Sequence, residues 1–127
     1  MKTKGKTVLV VDDEKDIREA LQDKFKSEGF SVLTADDGDV AIQIALEKHP
    51  DIIILDVIMP NMSGWDVLEA LRKDAWGIDV PVIMLTVLDD VESASKAMKY
   101  KSYDILVKND WKLVDVVSRV KERLARP

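Results

Sequence analysis

Five short apolar runs punctuate the chain: Val8-Leu9-Val10-Val11, Val32-Leu33-Thr34-Ala35, Ile52-Ile53-Ile54-Leu55, Val82-Ile83-Met84-Leu85 and Ile105-Leu106-Val107. Most are continuous rather than alternating. A strand covered on both faces of a parallel sheet reads this way, whereas a half-exposed strand alternates. The second run is the least apolar, which suits an edge position. Between the runs lie segments of helical period. Ile17, Ala20, Leu21 and Phe25 share one face, stopped by Gly29. Val40, Ala41, Ile44 and Ala45 form a second stripe, closed by Pro50. Val67, Leu68 and Leu71 form a third behind Ser63 as N-cap. Val91, Ala94, Ala97 and Met98 form a weaker fourth. Leu113, Val116, Val117, Val120 and Leu124 form a fifth, with Asp110 as its candidate cap. Strand then helix, five times over, predicts an α/β fold: a doubly wound five-stranded parallel sheet with helices on both sides.

The bulk numbers bound the rest. A chain of 127 residues suffices for one domain, here taken as residues 1–127. With 46% hydrophobic residues it can build a core. Its net charge of −5 opposes direct contact with nucleic acid or anionic lipid. The absence of cysteine excludes disulfides and thiolate metal sites. No run approaches the ~20 apolar residues of a membrane helix, and the basic start from Met1 to Lys6 is too short and polar for a signal peptide. The expectation is a soluble cytoplasmic protein.

All strands of a parallel sheet end on one edge, and ligands bind there, where the strand order reverses. The first run ends in Asp12-Asp13-Glu14, the third in Asp56, the fourth in Thr86 and the fifth in Lys108. Asp36-Asp37, after the second, is expected away from the centre. Three converging carboxylates resist ionisation together, and a hard divalent cation relieves them. Mg²⁺ prefers a few carboxylates plus waters and phosphate oxygens. A lysine and a hydroxyl opposite the metal would neutralise and orient a phosphoryl group, whose transfer needs positioning and charge stabilisation. The acceptor would be a carboxylate, giving an aspartyl phosphate. Taken singly, Asp12 or Asp13 reads as a helix N-cap, Thr86 as a strand-end residue and Lys108 as a solvated charge. Asp56 stands out because it closes a strongly apolar strand and is poor strand material. The conjunction on one edge carries the functional reading.

These residues resemble the receiver domain of two-component response regulators over essentially the whole chain. The resemblance rests on the acidic pair after the first strand, the stretch Asp56-Val57-Ile58-Met59-Pro60-Asn61-Met62-Ser63-Gly64, the strand ending in Thr86, and Asp104-Ile105-Leu106-Val107-Lys108. It implies a CheY-like, flavodoxin-like (βα)5 fold with sheet order 2-1-3-4-5. It implies Asp56 as phosphoacceptor and Asp12, Asp13, Asp56 and the backbone carbonyl of Ile58 as Mg²⁺ ligands. Lys108 would pair with one phosphoryl oxygen, and Thr86 would hydrogen-bond another. The implied donor is a phosphohistidine on a sensor histidine kinase or a histidine phosphotransfer protein. The implied output is a downstream protein bound through the fourth-helix, fifth-strand and fifth-helix face, by a monomer or a phosphorylation-dependent dimer. Such a protein is a signalling switch in a phosphorelay, not an enzyme beyond weak self-phosphorylation from small donors and autodephosphorylation.

Departures from the family pattern gather near the output face. Ile105 stands where an aromatic residue is usual, and Tyr103 is not its equivalent. Lys108-Asn109 replaces a Lys-Pro pair, and a cis bond before a non-proline costs roughly 2.5–4 kcal/mol. Lys101-Ser102 replaces a Gly-Ala pair, and Val87 replaces a smaller residue, narrowing access to the phosphoaspartate. Two alternatives to a stand-alone switch follow: a phosphorylation-independent interaction module, and a receiver part of a longer regulator with an output domain. A Mg²⁺-dependent phosphatase would want a second acid two residues after its nucleophile, where this chain has Ile58. Trp65, Trp76 and Trp111 read as packing residues near helix ends, and His49 as a favourable partner of a helix C-terminus rather than a metal ligand. Lys96, Lys99, Lys101 and Lys108 make a basic stretch, read as a solvated face or as a docking surface for an acidic partner.

Overall fold

Each apolar run becomes a strand, and the pleat of the central strands divides the core in two. The computed structural model of the chain describes residues 5–86, 99, 104–107 and 112–125, without the side chains of Thr86 and of 104–107. The elements are β1 (Thr7–Val11), α1 (Lys15–Ser27), β2 (Ser31–Ala35), α2 (Gly38–Lys48), β3 (Ile52–Asp56), α3 (Gly64–Arg72), β4 (Val82–Thr86), β5 (Asp104–Val107) and α4 (Leu113–Ala125). The strands form one sheet of order β2-β1-β3-β4-β5, and every pair is parallel. β2 is an edge strand, as its weaker apolar character predicts. The helical stripe expected over residues 91–98 and the cap expected at Asp110 lie outside the described residues.

Alternate residues along β1 and β3 point to opposite faces. Leu9, Val11, Ile53 and Leu55 join one buried cluster with Ala41 and Ala45 of α2 and Val67, Leu68 and Leu71 of α3. Val8, Val10, Ile52 and Ile54 join the other with Leu21 and Phe25 of α1 and Val116, Val117 and Val120 of α4. Both faces of the central strands are therefore covered, which is why their sequences do not alternate.

The helix ends follow local chemistry. Ser63 caps α3 in a full capping box: its hydroxyl accepts from the Asp66 N–H, while the Asp66 carboxylate accepts from the Ser63 N–H. Asp37 caps α2 by accepting from the Val40 N–H at 2.8 Å. Gly29, with φ of 93°, turns the chain after α1, and Phe30 then packs edge-on against Phe25 at 5.3 Å. One assignment within the helices is corrected. Val40 is 37% exposed rather than part of the buried stripe of α2, because the first turn, fixed by the Asp37 cap, aims it outward.

Candidate functional site

Asp12 follows the last residue of β1, and Asp56 is the last residue of β3, the strand hydrogen-bonded beside it. The strand order changes direction between these two, so the crevice at the C-terminal edge of the sheet opens there. Asp12 is 0% exposed and Asp56 is 2% exposed, the only buried charged residues among those described. Burial of an ionised carboxylate is costly unless its charge is compensated. Asp13 is exposed and opens the site to solvent.

The backbone around both residues is firmly held. The Asp12 N–H donates to the Ala35 carbonyl of β2 at 3.2 Å. The Asp12 carbonyl accepts from Arg18 Nη1 at 2.9 Å, and Asp12 Oδ1 accepts from the Glu14 N–H at 2.9 Å. Glu14, not an aspartate, is the N-cap residue of α1, and it makes no side-chain cap bond. The reading of Asp12 or Asp13 as a simple helix cap is thereby overturned. Beyond Asp56, the Val57 N–H continues the ladder to the Leu85 carbonyl at 2.9 Å, and the Gly64 N–H donates to the Val57 carbonyl at 2.8 Å. Asn61, with φ of 70°, reverses the intervening loop. Ile58 sits in that loop with 52% of its surface exposed.

Asp12, Asp13 and Asp56 each present a carboxylate oxygen, and the three oxygens lie within 4.8 Å of one another. At that spacing two full charges repel by roughly 3 kcal/mol in an effective dielectric of ~20. An all-oxygen, acidic, partly open donor set fits a hard divalent cation, and such a cation would convert the repulsion into attraction. Asp37, two residues past the edge strand β2, is engaged in capping α2. Thr86 ends β4, with its backbone in register with Val107 of β5. Lys108, Val87, Tyr103, the Lys108–Asn109 bond and the basic stretch other than Lys99 lie outside the described residues, as does the side chain of Ile105.

Two supporting residues escaped the sequence reading. Arg18 was not singled out, although an arginine in the first turn after an acidic strand end was its available signal. Gly64 was part of the quoted motif, but only the structure supplies its reason. A Cβ there would lie 2.2 Å from the Asp56 carbonyl oxygen, so α3 packs against the backbone of Asp56 itself through a position that admits no side chain.

Fold and site together define an α/β protein with an acidic crevice at the switch point of a parallel sheet. The chain belongs to the response regulator receiver domain family, whose sequence profile matches residues 8–121. Members are signalling switches built around aspartate phosphorylation rather than ordinary enzymes. The chain is 41% identical over 108 residues to "Probable transcriptional regulator ycf27" of Guillardia theta, covering 85% of this chain and 41% of that protein. It is 39% identical over 120 residues to "Probable transcriptional regulatory protein TcrX" of Mycobacterium tuberculosis (strain ATCC 25618 / H37Rv), covering 94% of this chain and 50% of that protein. It thus spans two fifths to one half of these relatives. Among solved structures it resembles the chemotaxis protein CheY4 of Vibrio cholerae, with a TM-score of 0.86 at 29% identity, over 92% of this chain and 97% of that one. Among the described residues no helix is long and apolar enough to cross a membrane.

Proposed function

We propose that this chain is one receiver unit that accepts a phosphoryl group on Asp56 from a phosphohistidine donor and thereby alters its partner-binding face. A carboxylate oxygen of Asp56 forms the new bond to phosphorus as the bond from phosphorus to the donor's imidazole nitrogen breaks. Asp12, Asp13, Asp56 and the Ile58 carbonyl would hold Mg²⁺, which supplies charge neutralisation for the incoming phosphoryl oxygens. Lys108 and Thr86 are assigned to the remaining phosphoryl oxygens. The face expected to combine the 91–98 stripe, β5 and α4 is assigned to the downstream protein, and the cytoplasm, where such kinases present their phosphohistidine, to the chain itself. Slow self-phosphorylation from small donors and slow autodephosphorylation accompany the switch.

The observation that carries this reading is the convergence of three carboxylate oxygens within 4.8 Å around an almost fully buried Asp56. The partial coverage of the curated relatives favours a second reading, in which the same switch serves a longer transcriptional regulator. Any DNA contact would then fall to another part, because this chain carries a net charge of −5.

Incubation with acetyl phosphate and Mg²⁺, followed by intact mass measurement, tests the chemistry. The expected result is a single phosphoryl adduct that disappears in Asp56→Asn. A folded wild-type protein that forms no adduct would overturn the proposal.

A further inference from the structure

The opposite edge of the sheet carries a cavity of its own. Between the starts of β3 and β4 lies a cavity of about 330 Å³, lined by His49, Pro50, Asp51, Trp76, Asp79 and Pro81 among others. Asp51 and Asp56 bracket β3, so this cavity and the phosphoacceptor are separated by roughly 16 Å of strand. The His49 and Trp76 rings stack 4.4 Å apart and only 6° from parallel, forming a flat double-layered wall. The described lining contains two carboxylates, Asp51 and Asp79, and no lysine or arginine.

The walls are fixed by bonds that do not depend on a ligand. Asp51 Oδ2 accepts from the Thr7 N–H at 2.7 Å, and the Asp51 N–H donates to the Thr7 carbonyl at 2.9 Å. Asp74 Oδ2 accepts from the Trp76 and Gly77 N–H groups at 2.9 and 3.1 Å. Arg72 Nη1 donates to the Gly77 and Val80 carbonyls at 2.7 and 2.8 Å, stapling the loop that carries Trp76 and Asp79. His49 caps α2 with φ of 48°, a backbone that glycine or asparagine would adopt at less cost. Stacking alone accounts for the two rings. It does not account for an open, pre-shaped cavity whose described charges are all negative.

We infer that this cavity binds an arginine side chain presented by a partner polypeptide. A guanidinium is planar, so it can lie against an aromatic or imidazole wall, and its forked N–H groups match carboxylates. A lysine ammonium offers charge without the plane, and a neutral planar group offers the plane without the charge. The volume is at the small end for a ligand site, which suits one side chain rather than a whole cofactor. A pre-shaped site also spares the ordering cost that weak peptide contacts otherwise bear.

The test is a ¹⁵N–¹H correlation titration at low ionic strength with acetyl-glycyl-arginyl-glycine amide and with the same peptide carrying citrulline, the neutral isostere. Shifts are expected to concentrate at residues 49–51 and 76–81. Binding of the citrulline peptide should be at least about fivefold weaker, a difference of ~1 kcal/mol. Asp79→Asn, an exposed charge change that leaves the loop bonds in place, should weaken arginine binding about threefold while the Asp56 adduct from acetyl phosphate forms as before. Equal binding of both peptides, shifts centred on Asp12, Asp13 and Asp56, the same shifts with Mg²⁺ alone, or no shift at about 20 mM peptide would each overturn the inference.

Discussion

Asp56 is held from behind as well as from its own strand. The first residue of α3 lies so close to it that a Cβ on Gly64 would meet the Asp56 carbonyl oxygen at 2.2 Å and its carbon at 3.0 Å. Neither atom can yield easily, because β3 is hydrogen-bonded on both sides to β1 and β4. Gly64→Ala must therefore displace α3 or Asp56. Overpacking of this kind typically costs ~1–3 kcal/mol. The urea midpoint should fall accordingly, and adduct formation from acetyl phosphate should slow even in conditions where the variant is fully folded. An unchanged midpoint would mean that α3 can slide freely, against this account. The three aspartates were legible in the sequence because strand ends of a parallel sheet share an edge whatever the details. The duties of Gly64 and Arg18 were not, since both act on backbone atoms whose approach no residue pattern encodes. His49 and Trp76 were read separately as a helix-end partner and a packing residue. Their stacking depends on how two loops at the far edge meet.

At the scale of elements, the runs of β1, β3 and β4 are legible as strands because continuous burial leaves an unambiguous composition, and Ser63 signalled α3 as an N-cap candidate. Less legible was what joins helices distant in sequence. Lys121 of α4 donates to Glu28 Oε1, at the end of α1, at 2.6 Å across 93 residues of chain. That hydrogen bond, and secondly the Lys121 charge, hold the Glu28 carboxyl below its ordinary value of 4.5, with Lys24 adding a smaller pull. A carboxyl whose folded-state value is depressed stabilises the fold fully above its unfolded value. That contribution is lost as pH falls through the lower folded-state value. Glu28→Gln should therefore lower the urea midpoint near neutral pH, and the gap between variant and wild type should close as pH drops below 4.5. Because Glu28 and Lys121 are both partly solvent-exposed, salt near 0.5 M should shrink the gap as well. A gap that persists in strong acid would assign the effect to packing instead.

At the scale of the whole molecule, the charge cluster and the sheet are one mechanical unit. Asp12 and Asp56 extend the two central strands, whose side chains anchor both core clusters. Relief of carboxylate repulsion at their ends should thus register in global stability, not only locally. A cation that binds the folded chain and not the unfolded one stabilises it by RT ln(1 + [L]/Kd), about 1.4 kcal/mol at tenfold excess over Kd. For a domain of this size that corresponds to a rise in Tm of roughly 3–6 °C. Mg²⁺ should produce such a rise, EDTA should reverse it, and sodium chloride at matched ionic strength should not reproduce it. Asp13→Asn removes one of the three oxygen-bearing charges while leaving both buried aspartates in place, so the rise should fall to less than about a third. Asp79→Asn, at the other edge of the sheet, should retain the full rise, which separates specific coordination from general relief of a net charge of −5. Equal Mg²⁺ responses in the two variants would mean that the ion screens the whole acidic surface and that the three carboxylates are not its site.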